Sequence, residues 1–297
     1  MKLVLGSVQF GKNYGLVNGK KIPQIDIKKI SNLVVRSKID FIDTSINYGD
    51  SEKIIGNSVL NQLNIITKIK LPKKSINIDN WVKKKINSSL TNLKISNVYG
   101  VLIHDYKDLL GQRGKKYLKI LYSLKKKKII NKIGISIYSP NDLQKIWVFW
   151  RPDIVQVPFN ILDQRILYSG WLNILKKNKV LIFSRSCFLQ GLLLSNYKFY
   201  RRFNKFYKIL DKFSNWCKTN RISKLEACIS FVKKIKEIDY LIVGFNNYYQ
   251  FKEILKCFNK KNFLEVPNIF SINDEKLIDP RKWLIKKKSF SNYSGKI

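Results

Sequence analysis

Four side chains in this sequence could together protonate a carbonyl oxygen. They are Asp43, Tyr48, Lys68 and His104, met in that order, each at the end of an apolar run. The runs are KIDFIDTSINYG (Lys38–Gly49), NIITK (Asn64–Lys68) and VYGVLIHD (Val98–Asp105). A tyrosine hydroxyl with its ordinary pKa of about 10 is a poor acid at neutral pH. An ammonium within hydrogen-bond reach stabilises the phenolate and is expected to lower that value by about 1–3. A carboxylate beyond the ammonium fixes its position and keeps it charged. In this arrangement Tyr48 gives up the proton, Lys68 activates it and Asp43 holds Lys68. His104 donates a hydrogen bond to the same oxygen. The matching reaction is carbonyl reduction, with hydride supplied by a cofactor.

Taken singly, each residue has a plainer reading. Asp43-Thr44 has the form of a helix cap, Tyr48 is one of 15 tyrosines and Lys68 one of many lysines. A lone histidine such as His104 is usually structural. What sets the four apart is their order and their places at strand ends.

Those places follow from the alternation of strand-like and helix-like segments. Strands are expected at Lys2–Leu5, Ile39–Asp43, Ile65–Lys68, Val98–His104, Ile133–Ser136, Ile154–Val157, Val180–Ser184 and Tyr240–Val243. Helices are expected at Asp26–Ser37, Ser51–Asn61, Asp79–Leu93, Gly114–Lys128, Pro140–Trp150, Ile166–Lys176, Asn204–Thr219, Ser223–Lys236 and Asn247–Phe258. Ser139-Pro140 reads as an N-cap with proline at the first helical position, and Ser223 with Glu226 as a capping box. Runs apolar on both faces require burial on both faces, so this α/β pattern predicts a single-domain (β/α)8 TIM barrel. The four side chains then converge on its carboxyl-terminal mouth. A doubly wound sheet would announce itself with GxGxxG after the first strand, and GSVQFGKNYG (Gly6–Gly15) lacks that spacing. The barrel is expected to span residues 1–285, the segment after Asn259 packing over one end, with a basic tail over 286–297.

The 297 residues, 45% of them hydrophobic, suffice for one large core. No apolar stretch approaches the roughly 18 residues of a membrane span, and MKLVLGSVQFG reads as a first strand, too short for a signal peptide. A cytoplasmic location is expected, with no membrane partner. Four cysteines without CxxC spacing argue against a metal site or disulfide framework. The net charge of +37 would ordinarily suggest nucleic acid. Here lysine is dispersed along a chain also rich in Asn and Ile, so no nucleic-acid partner is expected. The runs Lys125–Lys128 and Lys286–Lys288 read as a solvated helix end and part of the tail. The charge does favour anionic small molecules.

Over nearly its full length the chain resembles the aldo-keto reductase superfamily. The likeness is carried by LGSVQFG (Leu5–Gly11), IDTSINYGDSEKIIG (Ile42–Gly56), TK (Thr67–Lys68) and LIHD (Leu102–Asp105). It continues through GISIY (Gly134–Tyr138), VQVPFNILDQR (Val155–Arg165), RSCFLQGLL (Arg185–Leu193) and IVGFNNYYQFKEIL (Ile242–Leu255). The resemblance implies a catalytic tetrad of Asp43, Tyr48, Lys68 and His104, and a nicotinamide cofactor bound without a Rossmann fold. It sets Gly6, Ser7, Ser136 and Gln156 against the cofactor, the last two at the nicotinamide carboxamide. Ile137 stands where an asparagine commonly follows the serine.

Arg185 occupies the place of a ring that stacks on the nicotinamide, which a guanidinium plane can also do. Ser186, Phe188, Gln190 and Gly191 match a pyrophosphate-binding segment. Gly244, Phe245, Asn246, Asn247, Gln250 and Glu253 match the adenosine end. No Lys or Arg stands at the commonest 2′-phosphate positions, which leaves Asn246, Asn247 or the nearby Lys252 to recognise that phosphate. NADPH is the expected cofactor and NADH its rival. Phe10, Tyr14, Tyr106 and Phe159 are expected to frame a pocket for a small carbonyl substrate. The opening LGSVQFGKNYG is similar to a bacterial branch that accompanies sugar and surface-polysaccharide biosynthesis. The contending function is a regulatory protein that binds cofactor on the same barrel with slow or no turnover.

Overall fold

Short strands buried on both sides need an interior to line and a jacket of helices to cover them. The computed structural model describes residues 1–16, 19–72, 77–261 and 264–283. Its strands are β1 (Lys2–Gly6), β2 (Phe41–Asp43), β3 (Asn64–Ile69), β4 (Val98–Ile103), β5 (Ile130–Ser136), β6 (Ile154–Pro158), β7 (Leu181–Arg185) and β8 (Tyr240–Val243). They pair in that order, every neighbour parallel, and β8 returns to β1 to close the barrel. The first helices in chain order are α1 (Val8–Gly11), α2 (Gln24–Arg36), α3 (Ser51–Gly56), α4 (Ile78–Leu93), α5 (Gly111–Lys126) and α6 (Pro140–Trp147). The others are α7 (Arg165–Tyr168), α8 (Trp171–Lys177), α9 (Tyr207–Thr219), α10 (Lys224–Lys233), α11 (Tyr248–Asn259) and α12 (Glu275–Ile278). The expected barrel is therefore the observed one.

Strand alternation decides what points where. Val4, Phe41, Ile66, Leu102, Ile154, Phe183 and Ile242 form one buried cluster, the barrel interior. Their chain neighbours Leu3, Leu5, Ile42, Ile65, Val101, Ile103, Val155, Ile182 and Leu241 belong to the larger cluster under the helices. Two residues beyond the interior set, the inward direction recurs at the carboxyl ends, and there the residues are polar or glycine.

Several helices depart from the expected spans. Ser51–Asn61 breaks after Gly56, which lies so close to α4 that a Cβ would meet the Asn92 carbonyl oxygen at 2.1 Å. A 3₁₀ turn, Val59–Gln62, follows with Ser58 as its cap. Ile166–Lys176 divides at Gly170, whose φ of 77° ends one helix and opens the next. Asn204–Thr219 begins as the 3₁₀ segment Arg201–Phe206. One-turn α1 was not expected at all. Lys125, in the basic run at the end of α5, pairs with Asp153 at 2.6 Å.

Beyond α11 the chain packs through Phe270 against Phe213 and Trp216, and through Trp283 against Phe203. Arg281 reaches back to lie 3.5 Å from the Tyr138 ring centroid, so the segment touches the mouth of the barrel. The tail expected over 286–297, with Lys286–Lys288, lies outside the described residues. No helix among the described residues is long and apolar enough to cross a membrane. Cys187, Cys217 and Cys228 are buried and Cys257 half-buried, all as free thiols.

Candidate active site

Advancing two residues from each of the seven interior residues, and from Gly134 at the matching place in β5, gives Gly6, Asp43, Lys68, His104, Ser136, Gln156, Arg185 and Gly244. All eight line one cavity of about 680 Å³ at the carboxyl-terminal mouth. That is a volume suited to a drug-sized or larger ligand. Tyr48 and Tyr14 also line it, as do Ser7, Ser186, Phe188, Gln190, Gly191, Phe245, Asn246, Gln250 and Glu253.

The floor is an ion pair. Lys68 Nζ donates to both Asp43 carboxylate oxygens, at 2.6 and 2.5 Å, and to the Thr44 carbonyl at 3.0 Å. Asp43 and Lys68 are 5% and 1% exposed, so neither charge is shared with water. Gln156 Nε2 donates to Asp43 Oδ1 at 2.8 Å, and Ser136 Oγ donates to Gln156 Oε1 at 3.3 Å. Ser7 Oγ donates to the Asp43 carbonyl. Residues expected at the cofactor therefore also brace the ion pair. Glu52, buried on α3, accepts from Thr67 of β3 and Ser89 of α4, fixing the strand that carries Lys68.

Tyr48 stands over this pair, with Lys68 Nζ 5.1 Å from its ring centroid. Its loop is pinned by two glycines in contact. A Cβ on Gly11 would fall 1.7 Å from the Tyr48 carbonyl oxygen, and one on Gly49 (φ +60°) 2.5 Å from the Gly11 oxygen. The expected lowering of the phenol's pKa by Lys68 is not what the geometry gives. An ammonium has three donors, and all three are used by Asp43 and Thr44. Burial pushes the Tyr48 phenol above its ordinary value, the Asp43 charge adds to this, and the nearby Arg185 guanidinium opposes it. Burial likewise lowers Lys68, with Asp43 working against it. The consequence is a phenol that stays protonated, a proton held ready.

His104 follows β4, its backbone N–H donating to the Ile69 carbonyl at 3.0 Å. Burial, then the charges of Lys68 and Arg185, push its pKa down to about 3. The imidazole is therefore neutral, and its Nδ1 has no partner. Against a reference value of 6.5, the folded state binds fewer protons than the unfolded one between about 3 and 6.5. Its contribution is complete above 6.5 and is lost as pH falls through that window. His104 is the one histidine of the chain, so its proton NMR signals can be assigned at once. They are expected to show no titration from pH 8 to 5. A His104→Gln variant is expected to lose less stability than the wild type on acidification.

A model of the aldo/keto reductase family matches residues 2–266. The chain belongs to this family. Membership brings with it nicotinamide-dependent reduction of carbonyl compounds as the class of chemistry. Among solved structures, the holo form of the aldo-keto reductase AKR11C1 from Bacillus halodurans superposes with a TM-score of 0.69. It is 16% identical and covers 89% of this chain and 88% of its own. PA4992 from Pseudomonas aeruginosa gives a TM-score of 0.62 at 18% identity, over 86% of this chain and 88% of its own. At such identities the likeness is one of fold. No curated protein matches the chain.

This aldo/keto reductase has a cavity that fits a nicotinamide dinucleotide by its own chemistry. Gln9 Oε1, His104 Nδ1 and Asn246 Oδ1 are buried, unpartnered, and belong to lining residues. Gly6 and Gly244 line the wall where β1 meets β8. After β7, positive φ angles at Ser186, Leu189, Gln190 and Gly191 bend the backbone into a tight loop along the cavity, the kind of conformation that gathers amide donors for an anion. Tyr14 reaches across to this loop, its hydroxyl accepting from Gln190 Nε2 at 3.0 Å.

Not every expected residue is at the cavity. Phe10 is 1% exposed and packs in the core, because α1 turns it away from the mouth. Phe159 is fully buried and stacks on Phe231, since it lies an odd step from inward-facing Gln156. Tyr106 opens a 3₁₀ turn, and its hydroxyl accepts from Lys145 of α6. None of these three lines the cavity. Asn247 caps α11, accepting from the Gln250 N–H, and exposed Lys252 is also absent from the lining.

Conversely, Gln9, Tyr138 and Lys224 line the cavity without having been expected there. Tyr138 was findable, because it lies two residues past Ser136 and continues the inward alternation. Arg185 lies 4.4 Å from its ring centroid and donates to the Ile137 carbonyl and to Ser186 Oγ. Gln9 and Lys224 sit on helices that the strand pattern does not reach.

Proposed function

We propose that the protein reduces an aldehyde or ketone to an alcohol using NAD(P)H, with Tyr48 as general acid. The observation that carries this reading is the sealed Lys68–Asp43 pair beneath Tyr48, beside a neutral imidazole in one cavity. A nicotinamide cofactor supplies hydride when bound. Tyr48 transfers its hydroxyl proton to the substrate oxygen as negative charge develops there. Lys68 keeps a positive charge under the ring, which offsets part of the cost that burial and the Asp43 charge place on the phenolate left behind. Asp43 keeps that ammonium in place and in turn depends on Gln156. His104, neutral, can donate a hydrogen bond to the substrate oxygen without competing as an acid. Arg185, held by Ile137 and Ser186, is suited to lie flat against a nicotinamide ring. Ser136 and Gln156 are suited to its carboxamide.

A small, sugar-derived carbonyl compound fits the cavity's polar floor, NADPH is the favoured cofactor, and the cytoplasm the location. Fluorescence titration with NADPH and NADH, followed by a screen of aldehydes, ketoses and nucleotide-sugar ketones, tests the proposal. Saturable cofactor binding with turnover on at least one class supports it. Binding without turnover on any carbonyl would favour the regulatory role, and a kcat/KM preference for NADH above tenfold would overturn NADPH.

The glycine contact under Tyr48 provides a separate check. Gly11→Ala forces the Tyr48 backbone to move, since the new methyl has no room at 1.7 Å. Overpacking of this kind costs about 1–3 kcal/mol, and displacing a reacting group by about 1 Å can cost on the order of 10²-fold in rate. A lowered Tm and a kcat reduced at least about tenfold are expected. Wild-type values for both would mean the loop is not held by this contact.

A further inference from the structure

We infer that Lys224 holds a phosphate of the bound dinucleotide, a position outside the strand-eight segment where the sequence directed attention. The inference rests on the proposed nucleotide occupant of the cavity. Three cationic side chains line that cavity: Lys68, Arg185 and Lys224. Lys68 is closed off by Asp43 and Thr44. Arg185 is committed to Ile137, Ser186 and the Tyr138 ring, close enough to Tyr48 and His104 for its charge to act on both. The strand-eight end contributes Gly244, Asn246, Gln250 and Glu253, which bring no positive charge.

Lys224 is placed differently. It is the first residue of α10, half-buried, beside Leu225 and facing the part of the β7 loop formed by Leu194 and Ser195, all of which line the cavity. Its Nζ donates to the Ser195 carbonyl at 3.2 Å and lies 5.3 Å from the Tyr197 ring centroid. No carboxylate forms an ion pair with it among the described residues, although much of its surface is withdrawn from water. An ammonium in that state is destabilised unless an anion joins it. Burial accordingly lowers its pKa, with Cys217, Cys228 and, least, the Asp211 carboxylate working against this. Ser195 takes one of the ammonium's three donors, and the residue itself lines the cavity. The α10 amino terminus, capped by Ser223, adds its dipole in the same sense. A phosphate is the anion that a dinucleotide brings. It comes from two places, the bridging pyrophosphate and the 2′-phosphate of NADPH.

The dissociation constants of NADPH and NADH, read from nicotinamide fluorescence, separate the cases. Wild type, Lys224→Met and Lys224→Arg are compared, with melting curves confirming that each is folded. A charge-assisted hydrogen bond contributes enough for a loss of roughly 10–100-fold in affinity on removal. Lys224→Met is expected to show that loss for NADPH, and Lys224→Arg to stay within about threefold of wild type. A loss confined to NADPH assigns the 2′-phosphate, and an equal loss for both cofactors assigns the pyrophosphate. Folded Lys224→Met binding both cofactors as the wild type does would overturn the inference and leave the reductase reading intact. Wild type binding neither cofactor would overturn both.

Discussion

Replacing Tyr48 with phenylalanine is expected to lower kcat by about 10²–10⁴-fold or more, the contribution of a positioned acid, with cofactor affinity within about threefold of wild type. Only one oxygen is removed, and it belongs to the group proposed to give up a proton. The ring remains over Lys68, so the ion pair below keeps its neighbour. Because burial and Asp43 push the phenol above its ordinary value, the acid form is the one present between pH 6 and pH 9. The deficit of Tyr48→Phe should therefore be much the same at pH 6 and pH 9, instead of vanishing at the alkaline end. Steady-state kcat at both pH values, with cofactor affinity from fluorescence, measures this. A variant within tenfold of wild type at both would remove Tyr48 as the acid.

The barrel and the heart of the cavity were legible because both rest on a period of two. Val4, Ile66 and Leu102 point inward, and so must Gly6, Lys68 and His104. That alternation, with polar residues arriving where each apolar run stops, placed the tetrad residues at one mouth. The errors fall where the alternation ends. Phe10 and Tyr106 lie past their strands, in a one-turn α-helix and a 3₁₀ turn that reset the direction of the side chains. Phe159 was misread although its odd spacing from Gln156 points it outward, to Phe231.

Helix lengths failed for a similar reason. Gly56 and Gly170 each end a turn, one by close approach to α4 and one by a positive φ, and neither effect shows in an apolar stripe. The largest misreading was electrostatic. A lysine beside a tyrosine suggests a lowered phenol pKa, but the sequence cannot show that Asp43 and Thr44 occupy every donor of Lys68 or that burial outweighs the remaining charge. Lys224 was invisible among 57 basic residues, because what distinguishes it is withdrawal from water at a cavity wall.

Lys68→Met is expected to be as damaging to stability as to activity, and the two losses can be separated. Methionine fills much of the space but leaves Asp43, 5% exposed, with Gln156 Nε2 as its one side-chain partner. Breaking a buried pair by removing one member costs about 3–5 kcal/mol, chiefly because the other charge is stranded. Urea midpoints at constant m should show that loss at pH 7. Adding Asp43→Asn to Lys68→Met removes the stranded charge and retains an acceptor for Gln156. The double variant should therefore recover a large part of the lost stability, with a coupling energy of about 0.5–3 kcal/mol between the two sites. Activity should not return, because nothing then stabilises the phenolate that Tyr48 becomes. Should Lys68→Met unfold at the wild-type urea concentration, the pair would not be the buried, mutually dependent unit on which the proposed chemistry stands.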